Sequence, residues 1–476
     1  MNNNNKNIQK KIFFIIFVIN LFLQPVYPQE KQVIYNLIGS AFTENQSYQM
    51  LSRLCDEAGG RLAGTPHNEL ALQILSEELR KIGIEPKLER YNIPGWIRGD
   101  DEVILLEPNY RKLRAVALGY VDSTKPFTTD VVYVGYGLEE DYEKIDVQNK
   151  IVLITQESPP NKEQPLRYEG IDVAYKHGAL AVLFLNDKSG MINLAGTSNF
   201  QGMPSPIPAF SITYEEGKWL KRLLEKDKKI KMKIVTKSFC KEIETANVVV
   251  TFQGKVKEKI VIGAHFDSWD LGQGGVDNGH GTAILFDIAR VLNRFAINNY
   301  YTVEIAWFNA EELGIWGAKK YLEMHKNDNI IAMINFDMTG VPTGINVMGY
   351  DEFIPFCKEF IENMNGFELK SGVVSQPWTN SDHTPFMLAG IPSFTFNSHL
   401  EKDMWWYYHD VGDTYDKVKI SFLSTAVAVS SAFIYELANN PELPFKKQSE
   451  NEIIDLFKKS GMDKRLKRQK EWIFDD

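Results

Sequence analysis

The chain has 476 residues, 44% of them hydrophobic and 24% charged, with a formal net charge of -9. That length calls for two domains with substantial cores, and the acidic balance argues against nucleic acid or an anionic membrane as partner. Three cysteines, Cys55, Cys240 and Cys357, exclude a disulfide scaffold; they are expected as small buried thiols, with one bridge at most.

Residues 1–29 differ from the rest. Lys6, Lys10 and Lys11 precede an apolar run from Ile12 to Leu23, the charged-then-apolar pattern of a secretory signal and short for a membrane span. The expectation is a secreted or periplasmic protein. Val26-Tyr27-Pro28 lacks a small-x-small cleavage pattern, which leaves an uncleaved N-terminal anchor open as the only membrane partner. Removing 1–29 takes three lysines and no acids, moving the charge from -9 to -12.

Amphipathic helices are predicted over 45–58 and 67–83, the second starting at Thr65-Pro66 as N-cap and N1 proline. Strands follow at 130–137 and 150–156, a helix and strand within 171–185, a strand near 206–212 and a helix over 215–226. The stretch 115–240 carries no cluster of ligand-type residues and reads as an inserted β/α unit. From Ala246 the pattern changes to short apolar strands at 247–252, 259–264, 302–308, 330–336, 345–349 and 393–397. They alternate with helices at 279–293, 314–325, 352–364, 383–389 and 420–438. This is an α/β fold with a mostly parallel sheet covered by helices on both faces. The tail from 445 is charged and is expected as a solvated or frayed helix. No internal repeat is evident.

Ligand-type residues fall just past three of the strands: His265 after Lys259–Ala264, the pair Glu311-Glu312 after Thr302–Ala310, and Asp337 after Ile330–Phe336. Ligands bind at the carboxyl ends of strands in open α/β sheets. Asp277 and His409 complete five histidine and carboxylate donors, a set that suits zinc. Asp267, two residues from His265, is placed to accept its second imidazole N–H. Glu311 is the candidate general base, since a carboxylate beside an activated water can take its proton and pass it on. No Gly-x-Ser-x-Gly elbow is present, and Gly272-Gln273-Gly274-Gly275 lacks the Lys-Ser/Thr of a phosphate loop.

In order, these residues and the run His265-Phe266-Asp267-Ser268-Trp269-Asp270-Leu271-Gly272-Gln273-Gly274 resemble the M28 family of co-catalytic zinc metallopeptidases, within it the carboxypeptidase Q branch. The resemblance extends to Gly59-Gly60-Arg61-Leu62-Ala63-Gly64-Thr65-Pro66 and fades after about Pro444. It implies a zinc-exopeptidase fold with a protease-associated insert at 115–240, the catalytic domain being 30–114 with 241–444. It implies two zinc ions, Asp277 bridging, His265 and Glu312 completing one ion and Asp337 and His409 the other. It further implies a cis Asp277-Asn278 peptide, and an exopeptidase acting on dipeptides or short peptides.

Asp413, four residues past His409, is either a tautomer-fixing partner for that imidazole or an ordinary turn aspartate. His280 either reaches the site or covers it. Ser381 and His383, in Asn380-Ser381-Asp382-His383, resemble the family segment lining the substrate side of the metals, and Tyr408 ends an aromatic run, Trp405 to Tyr408, of which some rings wall the pocket and the rest are core. These are candidate substrate contacts. Alternatives left open are an aminopeptidase, a one-zinc glutaminyl cyclase and a non-catalytic receptor-like binding protein; a homodimer is also open.

Overall fold

The computed structural model describes residues 29–296 and 298–475. The leader expected over 1–29 lies outside them except for Gln29. Three helices open the chain: α1 (Gln29–Thr43), α2 (Ser47–Arg53), continued by a wider turn over Leu54–Ala58, and α3 (Pro66–Lys81). The Thr65 hydroxyl accepts the Asn68 N–H and Pro66 occupies the first turn, the start expected from sequence. Leu72, Leu75 and Leu79 of α3 face the core.

After β1 (Lys87–Ile97) the chain leaves the first sheet and builds a second: β2 (Glu102–Glu107), β3 (Arg111–Lys112), β4 (Ala115–Ala117), β5 (Thr124–Tyr133), β6 (Ile151–Thr155), α4 (Arg167–Lys176), β7 (Ala181–Leu185), β8 (Ala209–Ile212), α5 (Tyr214–Leu224) and β9 (Lys231–Thr236). Its order is β3-β2-β9-β5-β6-β7-β8-β4. The three steps from β5 to β8 are parallel and those at the margins antiparallel. The sheet takes in β2 and β3, upstream of the expected start at 115. β2 pairs with β9, whose Lys-Met-Lys-Ile-Val-Thr alternates half-buried and buried side chains. That two-residue period passes unnoticed beside the lysine run preceding it.

The chain re-enters the first sheet at β10 (Phe239–Phe252), followed by β11 (Lys259–His265), α6 (His280–Phe295), β12 (Thr302–Phe308), α7 (Trp316–Met324), β13 (Ile330–Asn335), β14 (Val341–Asn346), α8 (Ile354–Asn363), β15 (Gly372–Val374), α9 (His383–Leu388), β16 (Ser393–His399), α10 (Lys402–Trp406) and α11 (Ile420–Ala438). β1 and β10 pair antiparallel from Lys87↔Val249 to Ile97↔Phe239. The insert therefore leaves and returns at adjacent strand ends. The sheet order is β1-β10-β12-β11-β13-β16-β14-β15, with β12, β11, β13 and β16 parallel. β14 lies at 341–346, ahead of the strand expected at 345–349, because its pairing with β16 begins at Val341↔His399 and tolerates Pro342 at an irregular step.

Both faces of the sheet are covered. α11 is the most apolar helix and is buried in the core, where Leu423, Val427, Phe433 and Ile434 are fully enclosed; each contributes about 1.5–3 kcal/mol of burial. The charged tail is not solvated throughout, as expected from its composition. It forms α12 (Glu450–Ser460), opened by a Ser449/Glu452 capping box, and α13 (Met462–Arg468). Ile453, Phe457 and Leu466 pack into the core, on an apolar stripe that the lysines between them mask. All three cysteines are free, Cys55 and Cys357 buried and Cys240 half-buried.

Candidate metal centre and its cleft

Parallel pairing sets the carboxyl ends of β12, β11 and β13 side by side. His265 ends β11, Glu311 and Glu312 follow β12, and Asp337 follows β13. Asp277 sits on the tight turn Gly275–Gly279 that opens α6, and its peptide bond to Asn278 is cis. Gly274 precedes that turn at φ +60°, where a Cβ would lie 2.2 Å from that of Ser268; glycine alone fits. His409, at φ +60°, comes from the loop after α10.

These five side chains converge. His265 Nε2 is 3.1 Å from Asp277 Oδ1 and 3.5 Å from Asp337 Oδ1, while His409 Nε2 is 2.9 Å from Asp277 Oδ2 and 3.1 Å from Glu312 Oε2. Two donor trios result, His265–Asp277–Asp337 and Asp277–Glu312–His409, sharing Asp277. The grouping corrects the one expected from the motifs: Asp337, not Glu312, accompanies His265. Linear order does not reveal which donors meet, because β11 has a neighbour on each side and the loop bearing His409 arrives from elsewhere.

The supporting contacts are largely backbone ones. The Asp267 carboxylate accepts the N–H of Glu311 at 3.0 Å and of Glu312 at 3.3 Å. Its Oδ1 stands 3.7 Å from His265 Nδ1, which instead lies 3.2 Å from the Asp267 carbonyl. Asp267 therefore orients the glutamate turn by its side chain and the imidazole by its backbone. Asp413 likewise does not meet His409: its carboxylate accepts the N–H of Val276 at 2.7 Å and of Asp277 at 3.0 Å. The Asn278 amide donates to the Phe336 carbonyl and accepts from Gly281 and Met338, tying the Asp277 turn to the end of β13.

In the sequence, Arg61 stands inside the glycine-rich string Gly59 to Pro66 with nothing to mark it apart. Its guanidinium is fully buried and donates to the carbonyls of Phe266, Gln273 and Gly274 at 2.7–3.0 Å, fastening the loop between His265 and Asp277. Asn309 bonds Asn68 and Thr245 and holds the turn before Glu311. The early glycine-rich string was the available signal for this support.

Charge decides what the centre can hold. Burial opposes the imidazolium of His265, but Asp267, Asp277 and Asp337 hold its pKa well above the ordinary value. Burial likewise opposes charge on His409, and Glu312 and Asp277 overcome it. Burial lifts Glu311 well above the usual carboxylate range, His265 opposing and Glu312, Asp382 and Asp337 adding. Burial also lifts Glu312 to about 7 against the pull of His409. Glu312 Oε1 is buried with no hydrogen-bond partner among the described residues. Carboxylates so enclosed lack positive charge, and imidazole nitrogen with carboxylate oxygen is the donor chemistry of zinc. The residues fit the metal.

The centre floors a cleft of about 500 Å³, walled on one side by Leu194–Thr197, Gln156 and Arg167 of the insert, and on others by Trp269, Glu311, Asn380, Tyr408 and Arg465. Ser381 and His383 are fully buried. Ser381 accepts from Asn335, and His383 is held between Asn335 and the Trp378 carbonyl, its pKa driven to about 4 by burial. The cleft wall at this segment is their neighbour Asn380. His280 is also fully buried, both ring nitrogens without partners among the described residues, its pKa pushed to about 4 by burial. In the aromatic run, none of the four rings is core. Trp405 is 41% exposed, Lys188 Nζ lies over Trp405, Trp406 and Tyr408, and Tyr408 reaches the cleft.

The sequence model of Peptidase family M28 matches residues 247–434 and that of the PA domain 127–220. Carboxypeptidase Q of Mus musculus is 28% identical over 433 residues, covering 88% of this chain and 91% of its own. A peptidase M28 precursor from Shewanella amazonensis shares the fold with a TM-score of 0.76 at 22% identity, over 88% of this chain and 99% of its own. A zinc aminopeptidase from Bacillus subtilis does so with a TM-score of 0.67 at 24% identity, over 85% and 98%. The M28 match takes in every donor of the centre and the PA match falls within the insert, and the chain is accordingly a peptidase that carries an M28 domain and a PA domain.

Proposed function

We propose that this protein is an exported exopeptidase with two zinc ions per chain, hydrolysing dipeptides or short peptides with Glu311 as general base. The observation that carries the reading is the division of Asp277. One carboxylate oxygen faces His265 at 3.1 Å and the other His409 at 2.9 Å, the disposition a bridging ligand requires. His265 and Asp337 would complete one ion, Glu312 and His409 the other. Bound there, zinc supplies Lewis-acid polarisation of the scissile carbonyl and acidifies water.

The chain's own part is proton handling and confinement. Glu311 borders the cleft, its backbone fixed by Asp267. Its carboxylate takes one proton from the attacking water as the new C–O bond forms, and gives it to the leaving nitrogen as the C–N bond breaks. Insert and tail both border the cleft, whose volume suits a short peptide. Export is supported by Lys6, Lys10, Lys11 and the apolar run after them.

The test pairs elemental analysis with turnover of one dipeptide in free, N-acetylated and C-amidated forms, beside an intact protein. Two zinc per chain and a preference for unblocked ends are expected. A single tight metal with no response to a second, equal cleavage of blocked and free forms, or internal cuts in the protein, would overturn the reading. Sensitivity to N-acetylation alone would make the enzyme an aminopeptidase, the activity named for the Bacillus subtilis relative.

A further inference from the structure

Four of the five donors are fixed from within the catalytic domain. His265 ends β11, whose backbone is paired on both sides, and Asp337 follows the neighbouring β13. The Glu312 N–H is held by Asp267 and the Asp277 N–H by Asp413. The insert touches this side only beyond the donors, where Tyr120 donates to the Leu313 carbonyl at 2.5 Å. His409 differs. It lies on an irregular loop at φ +60°, a left-handed conformation that a residue other than glycine keeps where its surroundings enforce it. Its carbonyl accepts from the insert, the Ala195 N–H donating at 3.0 Å.

The loop that supplies this N–H, residues 186–197 after β7, is shaped by its own domain. The Asn186 amide donates to the Ile192 carbonyl at 3.0 Å, Glu215 of α5 accepts the N–H of Gly190 at 2.7 Å and of Met191 at 3.0 Å, and Arg167 donates to the carbonyls of Leu194 and Ala195 at 3.2 and 3.0 Å. Its outer side meets the run 405–410. The Asn193 N–H donates to the Asp410 carboxylate at 2.7 Å, and Trp406 Nε1 to the Ser189 carbonyl at 3.4 Å. Asp410 is buried, and its second oxygen accepts the Gly412 N–H at 3.0 Å, so one side chain joins both loops. Lys188 Nζ lies 4.5 Å from the ring centroid of Tyr408, 5.5 Å from that of Trp405 and 5.8 Å from that of Trp406. It makes no ion pair among the described residues, and an ammonium over aromatic faces is attracted by the ring quadrupole. The far half of the donor loop is tied at home, the Gln273 N–H donating to the Asp413 carbonyl at 2.8 Å.

We propose that loop 186–197 of the insert is a strap that positions His409, with Asp410 and Lys188 as its positioning residues, so that the ion of the Asp277–Glu312–His409 trio is retained through the insert while the ion of the His265–Asp277–Asp337 trio is not. The inference rests on the two-zinc reading and adds to it that the two ions differ in what holds them. The physical reason is preorganisation: a donor already fixed in its binding conformation loses little freedom when it takes a ligand, and a donor on a loosened loop loses more.

Competition between the zinc-loaded protein and a chromophoric chelator resolves the dissociation constant of each ion without recourse to turnover. The proteins compared are wild type, Asp410→Asn, Lys188→Gln, Lys188→Arg and, as a control, Lys176→Gln, whose ion pair with Glu139 lies elsewhere in the insert. One ion is expected to weaken by about ten- to a hundredfold in Asp410→Asn and by about three- to tenfold in Lys188→Gln, the other staying at its wild-type value. Lys188→Arg should recover most of the loss, since a guanidinium also stacks on aromatic faces, and Lys176→Gln should change neither ion. In a His409→Ala background the remaining ion should be indifferent to Lys188→Gln, because the strap then has no donor to place. Both ions weakened alike, neither ion weakened in either variant, or a further loss in the His409→Ala background overturns the proposal. Wild type that holds a single ion sinks the two-zinc reading by itself; the strap then stands if that ion weakens in Asp410→Asn and Lys188→Gln, and falls if it does not.

Discussion

The carboxylate of Asp267 accepts the backbone N–H of Glu311 at 3.0 Å, and its other oxygen takes the next N–H, that of Glu312. One buried side chain thus sets the turn from which the candidate base and a candidate metal donor diverge. Asp267→Asn leaves a single acceptor oxygen for two donors and brings an NH2 against the second. We expect kcat to fall by about 10- to 100-fold with zinc content kept. Steady-state kinetics beside elemental analysis checks this, and an unchanged kcat would remove Asp267 from the positioning of the turn.

Glu311→Gln keeps the shape of the side chain and removes the proton acceptor. The expected outcome is a fall in kcat of roughly a hundredfold or more while zinc stays at the wild-type level. Turnover near wild type would exclude Glu311 as the base.

His265→Ala and His409→Ala each take a nitrogen donor from a different trio. Both should lose zinc on dialysis and activity with it, and the wild type treated with a chelator should melt at a lower temperature until zinc is restored, because a ligand bound only by the folded state stabilises it. Melting curves unmoved by chelation and zinc together would show that no metal is held at these residues.

Protons and zinc compete for the same carboxylates. In the metal-free protein burial lifts Glu312 and Asp413 to about 7. A folded-state pKa raised above the unfolded value gives stability that is complete below the unfolded pKa and is lost as pH rises through the folded one. The raised values of His265 and His409 act in the same sense. Metal-free protein should therefore melt at progressively lower temperature between about pH 5 and pH 8, and the gain from adding zinc should grow over the same window. Differential scanning calorimetry with and without zinc measures both; a zinc increment that shrinks with rising pH would contradict the argument.

Apolar periodicity and the glycine and proline breaks between runs were enough to read the alternation of strand and helix from β10 to α11, since buried parallel strands are short uninterrupted apolar segments. The five donors were legible for a related reason: chemistry that needs ligands at the carboxyl ends of strands puts His265, Glu312 and Asp337 just past three such runs. What the chain alone could not decide was partnership. Asp337 joins His265 because β13 lies beside β11, Asp413 serves Asp277 and not His409 because two loops distant in sequence stack, and His383 lies buried behind Asn380 because a helix turns it inward. Arg61, Arg167 and Arg465 come from three separate stretches of chain, and the charged tail hides its apolar stripe among lysines. Only the packing of the insert and the tail against the sheet brings those guanidiniums to the loop and the cleft, since local sequence fixes which groups a segment carries and tertiary contacts fix what those groups face.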